Sequence, residues 1–596
     1  MGLFESVRRE YIYISCIART LLRIRWLKPD ATRTIVDIVE EQAARTPGAV
    51  AILYQDRTLT YRNLDDGANR YANWALGEGI TRGDAVVLLM ENRPEYLMAW
   101  LGLLKLGAVV ALINTNLKGN ALVHSISIAG ARHAIIGAEL AESWAEAAPA
   151  IDPLPAAWIT GGRAVGARDL DAALDAASQA PPDKSARAGL TAKDTAFYIY
   201  TSGTTGLPKA ANFTHMRMLF MMYGFAGGLN VKPADRIYCA LPLYHATGGI
   251  CAVGMALTTG AALIIKRKFS ATEFWRDCRF YRATIFQYIG ELCRYLLNAP
   301  PDAEDGVHTI RAISGNGLRP EIWPGFQKRF AIPRIVEFYG ATEGNVSMLN
   351  YDGTVGAVGR MPGYMRSIMK IRLARFDIEQ QKPVRGADGF CVECEVGEVG
   401  EAVGGISNMP GHTFDGYTSH EDTGKKILTG AFKKGDAWFR TGDLMRRDEH
   451  GYFYFVDRIG DTFRWKGENV ATSEVAEALG VVDGIAEVNV YGVTVPGRDG
   501  RAGMAALVAA SGFDVAMLGE KIAANLAAFA RPVFVRLRPE MEITGTFKLK
   551  KTDLVKEGFD PGRIDDPLYW YNPASARYEA LSKEVYDAIL AGTVKL

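Results

Sequence analysis

The chain has 596 residues, 48% of them hydrophobic and 23% charged, with a formal net charge of +1. That length supports two or more domains with sizeable cores, and the balanced charge gives no electrostatic basis for a general nucleic-acid role. Seven scattered cysteines, an odd number, do not form a disulfide framework and favour a reducing, cytoplasmic setting; Cys391 and Cys394 form a lone Cys-x-x-Cys without a second pair to complete a metal site.

Residues 1–30 place Arg8, Arg9, Arg19, Arg23 and Arg25 among Tyr11, Ile12, Tyr13, Ile14, Ile17, Leu21, Leu22, Ile24 and Trp26. Basic and apolar residues mix too closely for a spanning segment, and no small-residue cleavage site follows a clean apolar core. The pattern fits a helix in a bilayer interface, with arginines toward anionic headgroups, and so a peripherally membrane-associated protein. A helix packed on the protein's own body fits it as well. Residues 31–456 read as a large domain of alternating strands and helices. Strand-like runs occur at Ala85 to Met90, Ala134 to Gly137, Ala262 to Ile265, Thr284 to Tyr288 and Arg334 to Phe338. Between the first two, Arg93 to Leu106 has helical periodicity, with Asn92 as its cap and Gly107 as its stop. The Ala- and Pro-rich stretch Glu139 to Lys193 reads as a lower-order excursion. Such alternation predicts an α/β class with β-sheets covered by helices.

The apolar run Thr195 to Tyr200 leads into Thr201-Ser202-Gly203-Thr204-Thr205-Gly206-Leu207-Pro208-Lys209. Hydroxyls, two glycines and a lysine in one short turn compose a polyphosphate loop, since glycine admits close backbone approach and hydroxyl and amide groups donate to phosphate oxygens. Its spacing is not that of the common P-loop, because Leu207 and Pro208 separate Gly206 from Lys209. Further along come Leu241-Pro242-Leu243-Tyr244-His245-Ala246-Thr247-Gly248-Gly249, Ser314-Gly315-Asn316-Gly317, Phe338-Tyr339-Gly340-Ala341-Thr342-Glu343-Gly344, Arg440-Thr441-Gly442-Asp443 and Asp457-Arg458-Ile459-Gly460-Asp461. The strand-like Gly451 to Phe455 precedes the last of these. Residues 457–560 then read as a small α+β domain: helix Thr472 to Leu479, strands Glu487 to Val495 and Met504 to Ala509, helix Leu518 to Phe529 and strand Val533 to Arg538. Residues 561–596 read as a tail.

These motifs, in this order, resemble those of the adenylate-forming superfamily of acyl-CoA synthetases, luciferases and peptide-synthetase adenylation domains. Gly460-Asp461-Thr462-Phe463-Arg464-Trp465-Lys466-Gly467-Glu468-Asn469-Val470 and Ile543-Thr544-Gly545-Thr546-Phe547-Lys548-Leu549-Lys550-Lys551, followed by Gly558-Phe559-Asp560-Pro561, are similar to the fatty-acid transport protein and very-long-chain acyl-CoA synthetase branch. The resemblance implies ligation of a long- or very-long-chain fatty acid to coenzyme A, with ATP cleaved to AMP and pyrophosphate through an acyl-adenylate, in some members linked to uptake. A bile acid-like or aromatic carboxylate is the alternative substrate, and a membrane transport protein with a vestigial nucleotide site the alternative class.

The resemblance also implies site roles. Thr201, Ser202, Gly203, Thr204, Thr205 and Lys209 would hold the β- and γ-phosphates. Glu343 would place Mg²⁺ and Thr342 would face the α-phosphate. Tyr339 would stack on adenine, with Gly340, Gly315 and Asn316 shaping that pocket. Asp443 would accept from the ribose hydroxyls, and Arg458 would contact ribose or phosphate. His245 would sit at the mouth of the acyl tunnel. Lys548 would reach the carboxylate and α-phosphate, with Lys550 or Lys551 as alternatives. A swing about Asp457 would then bring Gly467 to the pantetheine arm of CoA. Oligomeric state and acyl length are not legible.

Overall fold

Consecutive apolar residues with β-branched enrichment make strands buried on both faces, and two sheets of such strands form the body. The computed structural model describes residues 3–202, 207–498, 500–523, 525–542, 549–594 and 596. One seven-stranded sheet runs Arg168–Asp169, Ala156–Thr160, His133–Gly137, Ala85–Leu89, Val109–Leu112, Thr195–Ser202 and Pro208–Thr214. It is parallel except for its final hairpin, whose ladder sets Thr201 opposite Lys209. The eight-stranded sheet runs Ser347–Asn350, Ile335–Gly340, Ala312–Asn316, Ile285–Ile289, Arg236–Cys239, Ala262–Ile265, Val50–Tyr54 and Arg57–Thr60, with antiparallel strands only at its edges. Residues of both sheets and of helices Tyr61–Gly77, Pro94–Leu104 and His215–Gly228 join one apolar core.

A third, antiparallel sheet carries strands Val399–Gly405, Ala437–Arg447 and Tyr452–Arg458 side by side. Beyond it the chain builds a five-stranded sheet from Ile485–Val493, Ala502–Ala509, Phe534–Leu537, Leu568–Asn572 and Arg577–Ala580, with its own apolar core. The last two strands come from the stretch expected as a tail; Trp570 and Tyr578 are buried there. At the passage between the two sheets lies Asp457, 3% exposed. Its carboxylate accepts from the Thr462 hydroxyl at 3.0 Å, the Arg458 amide at 2.9 Å, and the Thr472 amide and hydroxyl at 2.6 and 3.1 Å. Burial raises its pKa, against the pull of Lys551 and these donors.

Three further expectations change. The stretch Glu139 to Lys193 is ordered: Ala156–Thr160 and Arg168–Asp169 extend the parallel sheet, and Trp158 packs edge-on to Trp74 at 5.2 Å. Its alanines have weak strand propensity, so tertiary pairing decides the conformation. Asn92 does not cap a helix, because Arg93 precedes Pro94 at the helix start. Its buried amide instead accepts from Leu243 N at 2.9 Å and donates to Leu241 O at 2.8 Å, which pins the turn leading to His245.

The third concerns the N-terminal helix Leu3–Ile24, which has two apolar faces. Tyr13, Cys16, Thr20 and Ile24 are buried against the body, at helical spacing. Arg19 donates to Gly227 O at 3.0 Å, Arg23 to Val231 O at 3.2 Å, and Arg360 pairs with Glu10. Arg9 lies over the Tyr452 ring, 6.0 Å from its centre, so three of the five arginines expected at headgroups are spent on the body, while Phe4, Val7, Tyr11, Ile14, Leu21 and Leu22 stand out from it, 55% exposed or more. Among the described residues no helix is long and apolar enough to cross a membrane.

Candidate active site

The flanks of the phosphate-type loop are held by a segment distant in sequence. Residues 415–418 lie along strand Pro208–Thr214, through Asn212 N to Gly416 O at 2.9 Å and Thr418 N to Ala210 O at 3.0 Å. This sets Tyr417, 7% exposed, between Lys209 and Glu343. The Lys209 ammonium lies 5.8 Å from the Tyr417 ring centre, and the Tyr417 hydroxyl donates to Glu343 at 3.0 Å. Lys209 also pairs with Asp422 at 2.6 Å, and that hydrogen bond holds the Asp422 carboxyl below its ordinary range. Gly203, Thr204 and Thr205, and the side chain of Ser202, lie outside the described residues, as does Lys548.

A second group forms where the eight-stranded and antiparallel sheets meet. Tyr339, at the end of Ile335–Gly340, donates its hydroxyl to Asp443 of Ala437–Arg447. Burial and the Asp443 charge push the Tyr339 hydroxyl pKa far up, so it remains a donor. Arg458 faces Asp443 across the ladder, with Nε 3.8 Å from the carboxylate. Beneath them the fully buried Glu401 takes a two-pronged bond from Arg440 and a third from Gly442 N at 3.2 Å. That fixes the irregularity in strand Ala437–Arg447, where the register shifts and Gly442 has φ +79°.

Gly315 admits no side chain, since a Cβ there would lie 2.4 Å from the Tyr288 ring and carbonyl. Asn316 beside it has a buried Oδ1 without a partner among the described residues. Under this edge Glu337 is buried, accepts from Leu318 N at 3.1 Å and from the Tyr288 hydroxyl, and burial pushes its pKa up to about 8.

Lys209, Tyr417 and Glu343 are therefore brought together, as are Tyr339, Asp443 and Arg458, and Gly340 and Thr342 lie on the chain between Tyr339 and Glu343. His245 stands at the start of a wide turn Ala246–Ala252. There a Cβ on Gly249 would meet Leu243 O at 2.0 Å. Gly467 occupies the exposed tip of hairpin Phe463–Trp465 and Glu468–Val470, whose two turn residues, Lys466 and Gly467, have φ +51° and +83°. The turn alone accounts for a glycine there. Of the alternative lysines, Lys551 is committed to Asp461 and Thr472, each at 2.9 Å, and Lys550 lies 3.3 Å from Glu542.

Sequence reasoning missed Tyr417, Asp422, Glu401 and Arg217. No spacing rule links residues 39 to 213 positions apart, and only the folded chain shows that Tyr417 reaches Glu343. The donor set suits magnesium: Glu343 offers a hard carboxylate oxygen, and Mg²⁺ is commonly held by one or two carboxylates together with substrate phosphates. Among the described residues no cluster of three His, Cys, Asp or Glu side chains forms a cage.

A family model described as AMP-binding enzyme matches residues 39–411, and one described as AMP-binding enzyme C-terminal domain matches residues 474–548. The chain belongs to the AMP-binding enzyme family. Within this family it belongs with the long-chain fatty acid transport proteins: it is 40% identical to long-chain fatty acid transport protein 2 of Rattus norvegicus, over 99% of this chain and 95% of that protein. Identity to long-chain fatty acid transport protein 1 of Homo sapiens is also 40%, over 99% of this chain and 93% of that one. Among solved structures, a Mycobacterium tuberculosis fatty acyl CoA synthetase superposes with a TM-score of 0.62 at 26% identity, covering 88% of this chain and 98% of that chain. An anthranilate CoA ligase in complex with anthranoyl-AMP superposes with a TM-score of 0.74 at 21% identity, covering 88% of this chain and 96% of that one. The AMP-binding enzyme fold, a large domain and a small C-terminal one, is thereby established for this chain.

Two predictions follow from the site's electrostatics. The Lys209–Asp422 pair, partly exposed, is worth about 1 kcal/mol or less, so Asp422→Asn frees the lysine and lowers KM for ATP by up to about fivefold; steady-state kinetics showing a raised KM would sink this. Glu337 has a folded pKa of about 8, above its ordinary 4.5. Its contribution to stability is therefore complete below 4.5 and is lost as pH rises to about 8. Glu337→Gln removes that loss, so thermal melting of the variant relative to wild type should improve between pH 6 and pH 8.5, the slope for one such group being about 1.4 kcal/mol per pH unit.

Proposed function

We propose that this family member is an AMP-forming acid–thiol ligase that joins a long-chain fatty acid to coenzyme A. The observation that carries the reading is the pairing of Lys209 with Glu343 through Tyr417, beside the Tyr339–Asp443 bond, in a chain 40% identical to long-chain fatty acid transport proteins over 99% of its length. A fatty carboxylate is a weak electrophile. In the first step its oxygen attacks the α-phosphorus of ATP, and the bond to the β-phosphate oxygen breaks, releasing pyrophosphate. In the second, the CoA thiolate attacks the acyl carbon and AMP departs.

Charge accumulates on phosphate oxygens in the first step, so fixed cations and donors stabilise it. Lys209 would exchange Asp422 for the β- and γ-phosphates, with Thr201 and the loop Ser202, Gly203, Thr204 and Thr205 supplying further donors. Thr342 would donate near the α-phosphate. Asp443 would take the ribose hydroxyls in place of the Tyr339 phenol, the buried Asn316 Oδ1 would accept from the adenine amine, and Arg458 would lie over the ribose. Magnesium, held by Glu343, would offset triphosphate charge. Lys548 remains the proposed cation for the reacting carboxylate. The domain division at Asp457 and the CoA role of Gly467 stand on the resemblance, and the charged, easily exchanged contacts Arg294–Glu487 and Arg464–Glu379 between body and C-terminal unit suit such a swing.

The acyl chain would reach the enzyme from a membrane. The outward stripe of Phe4, Val7, Tyr11, Ile14, Leu21 and Leu22, flanked by the exposed Arg8, Arg25 and Lys28, fits the interface of an anionic bilayer. Ligation there would make uptake one-way, because the CoA ester's charge bars return through the lipid.

AMP release measured with ATP, Mg²⁺ and CoA across saturated acids from short to very long should depend on CoA and peak at long chains. A peak on aromatic or bile acid-like carboxylates would transfer the assignment to those acids. For the membrane face, Tyr11→Glu with Leu22→Glu should abolish co-sedimentation with phosphatidylserine vesicles and leave melting unchanged; undiminished sedimentation would place lipid contact elsewhere.

A further inference from the structure

Arg217 is a buried charge behind the Thr342–Glu343 turn that the proposed chemistry leaves unused. It lies in the first turn of helix His215–Gly228, whose cap is the Thr214 hydroxyl, and it is 8% exposed. Its guanidinium donates to Ala341 O at 2.8 Å, to Glu343 O at 3.3 Å and to Gly344 O. Those carbonyls belong to the turn closed by Gly344 N to Ala341 O at 3.2 Å, with Thr342 and Glu343 at its centre. Outside a regular ladder such carbonyls need other donors. A planar guanidinium can serve several acceptors at once, which an ammonium cannot do with the same geometry.

The placement is costly in isolation. Burial pulls the Arg217 pKa down, and a cation beside a helix N-terminus meets the positive end of the helix dipole. Asp415 and Glu343 oppose that pull, and Asp415 is itself fixed by the Thr214 hydroxyl at 2.9 Å. The Phe213 ring, 5.3 Å from the guanidinium carbon, adds a cation–π contact. A desolvated cation held this way earns its place by what it fixes, namely the backbone of the Thr342–Glu343 turn, while Tyr417 fixes the Glu343 carboxylate.

We infer that Arg217 is a positioning residue for adenylation: by gripping the turn from behind, it sets the aim of Thr342 and Glu343 at the triphosphate. The inference rests on the proposed role of Glu343, and the test separates the two. Arg217→Lys keeps the charge and most of the stem but loses the fork; Arg217→Met removes both. ATP–pyrophosphate exchange is measured across a magnesium titration for each, with Glu343→Gln in parallel. AMP binding without metal, by calorimetry, reports on the Tyr339–Asp443 side and on folding.

A misplacement of about 1 Å costs roughly 100-fold in rate, so Arg217→Lys should lose exchange on that order and need more magnesium for half-maximal rate. Its AMP affinity should stay within about threefold of wild type. Exchange at the wild-type rate, or a parallel fall in exchange and AMP binding, would overturn the positioning role. If Arg217→Met does not fold, Arg217→Lys alone decides. If Glu343→Gln exchanges normally, the assignment of Glu343 fails instead.

Discussion

Guanidinium bonding to main-chain carbonyls is the interaction on which the nucleotide side of this protein leans. Helix His215–Gly228 is held by it at both ends. At its start Arg217 grips the carbonyls of the Ala341–Gly344 turn. At its end Arg19 and Arg334 donate to Gly227 O and Gly228 O, each at 3.0 Å. The two ends differ energetically. Cations at a helix C-terminus meet orphan carbonyls and a favourable dipole. The cation at the N-terminus opposes the dipole and is desolvated, and it is sustained by the carbonyls, the carboxylates and the Phe213 ring gathered around it. The N-terminal helix with its outward apolar stripe and the turn bearing Glu343 thus attach to opposite ends of one rigid element.

Among the described residues, the charged groups at the site already have partners within the protein. Lys209 faces Asp422, Glu343 accepts from Tyr417, and Asp443 accepts from Tyr339 while facing Arg458. Such pairing orients side chains in advance, which is what electrostatic stabilisation of a transition state requires. It also means that ligand binding exchanges partners rather than burying bare charge, so the net gain per contact is small while the specificity of arrangement is high. The supports differ in strength with burial: Glu401, fully buried and two-pronged to Arg440, is a fixed foundation, whereas the partly exposed Lys209–Asp422 pair is readily displaced.

Much of the strand content and the chemical class were legible along the chain. Ala85 to Met90, Ala262 to Ile265 and Thr284 to Tyr288 are short apolar runs between turn signals, and strands stand at Ala85–Leu89, Ala262–Ile265 and Ile285–Ile289. The strand Ala156–Thr160 escaped notice because alanine carries little strand preference and its pairing with His133–Gly137 is non-local. The last two strands escaped because aromatic alternation at Leu568–Asn572 reads equally well as a surface tail until a partner strand is known. The N-terminal segment suited either a membrane or the body; periodicity could not rank the two, and the helix buries one apolar face and exposes the other.

The sequence by itself determined the class of chemistry, because Lys209, Thr342, Glu343, Asp443 and Arg458 sit in motifs that resemble those of the adenylate-forming superfamily in their order along the chain, and because alternating strand and helix patterns leave few folds open. Only the tertiary structure decided which groups hold these residues in place. Tyr417, Asp422, Glu401 and Arg217 reach them across sheet registers and a helix cap, through contacts between residues 39 to 213 positions apart. Local patterning encodes which face of an element is apolar; it carries no record of which distant carbonyl or carboxylate that face will meet, since that is fixed by strand order and burial once the sheets have assembled.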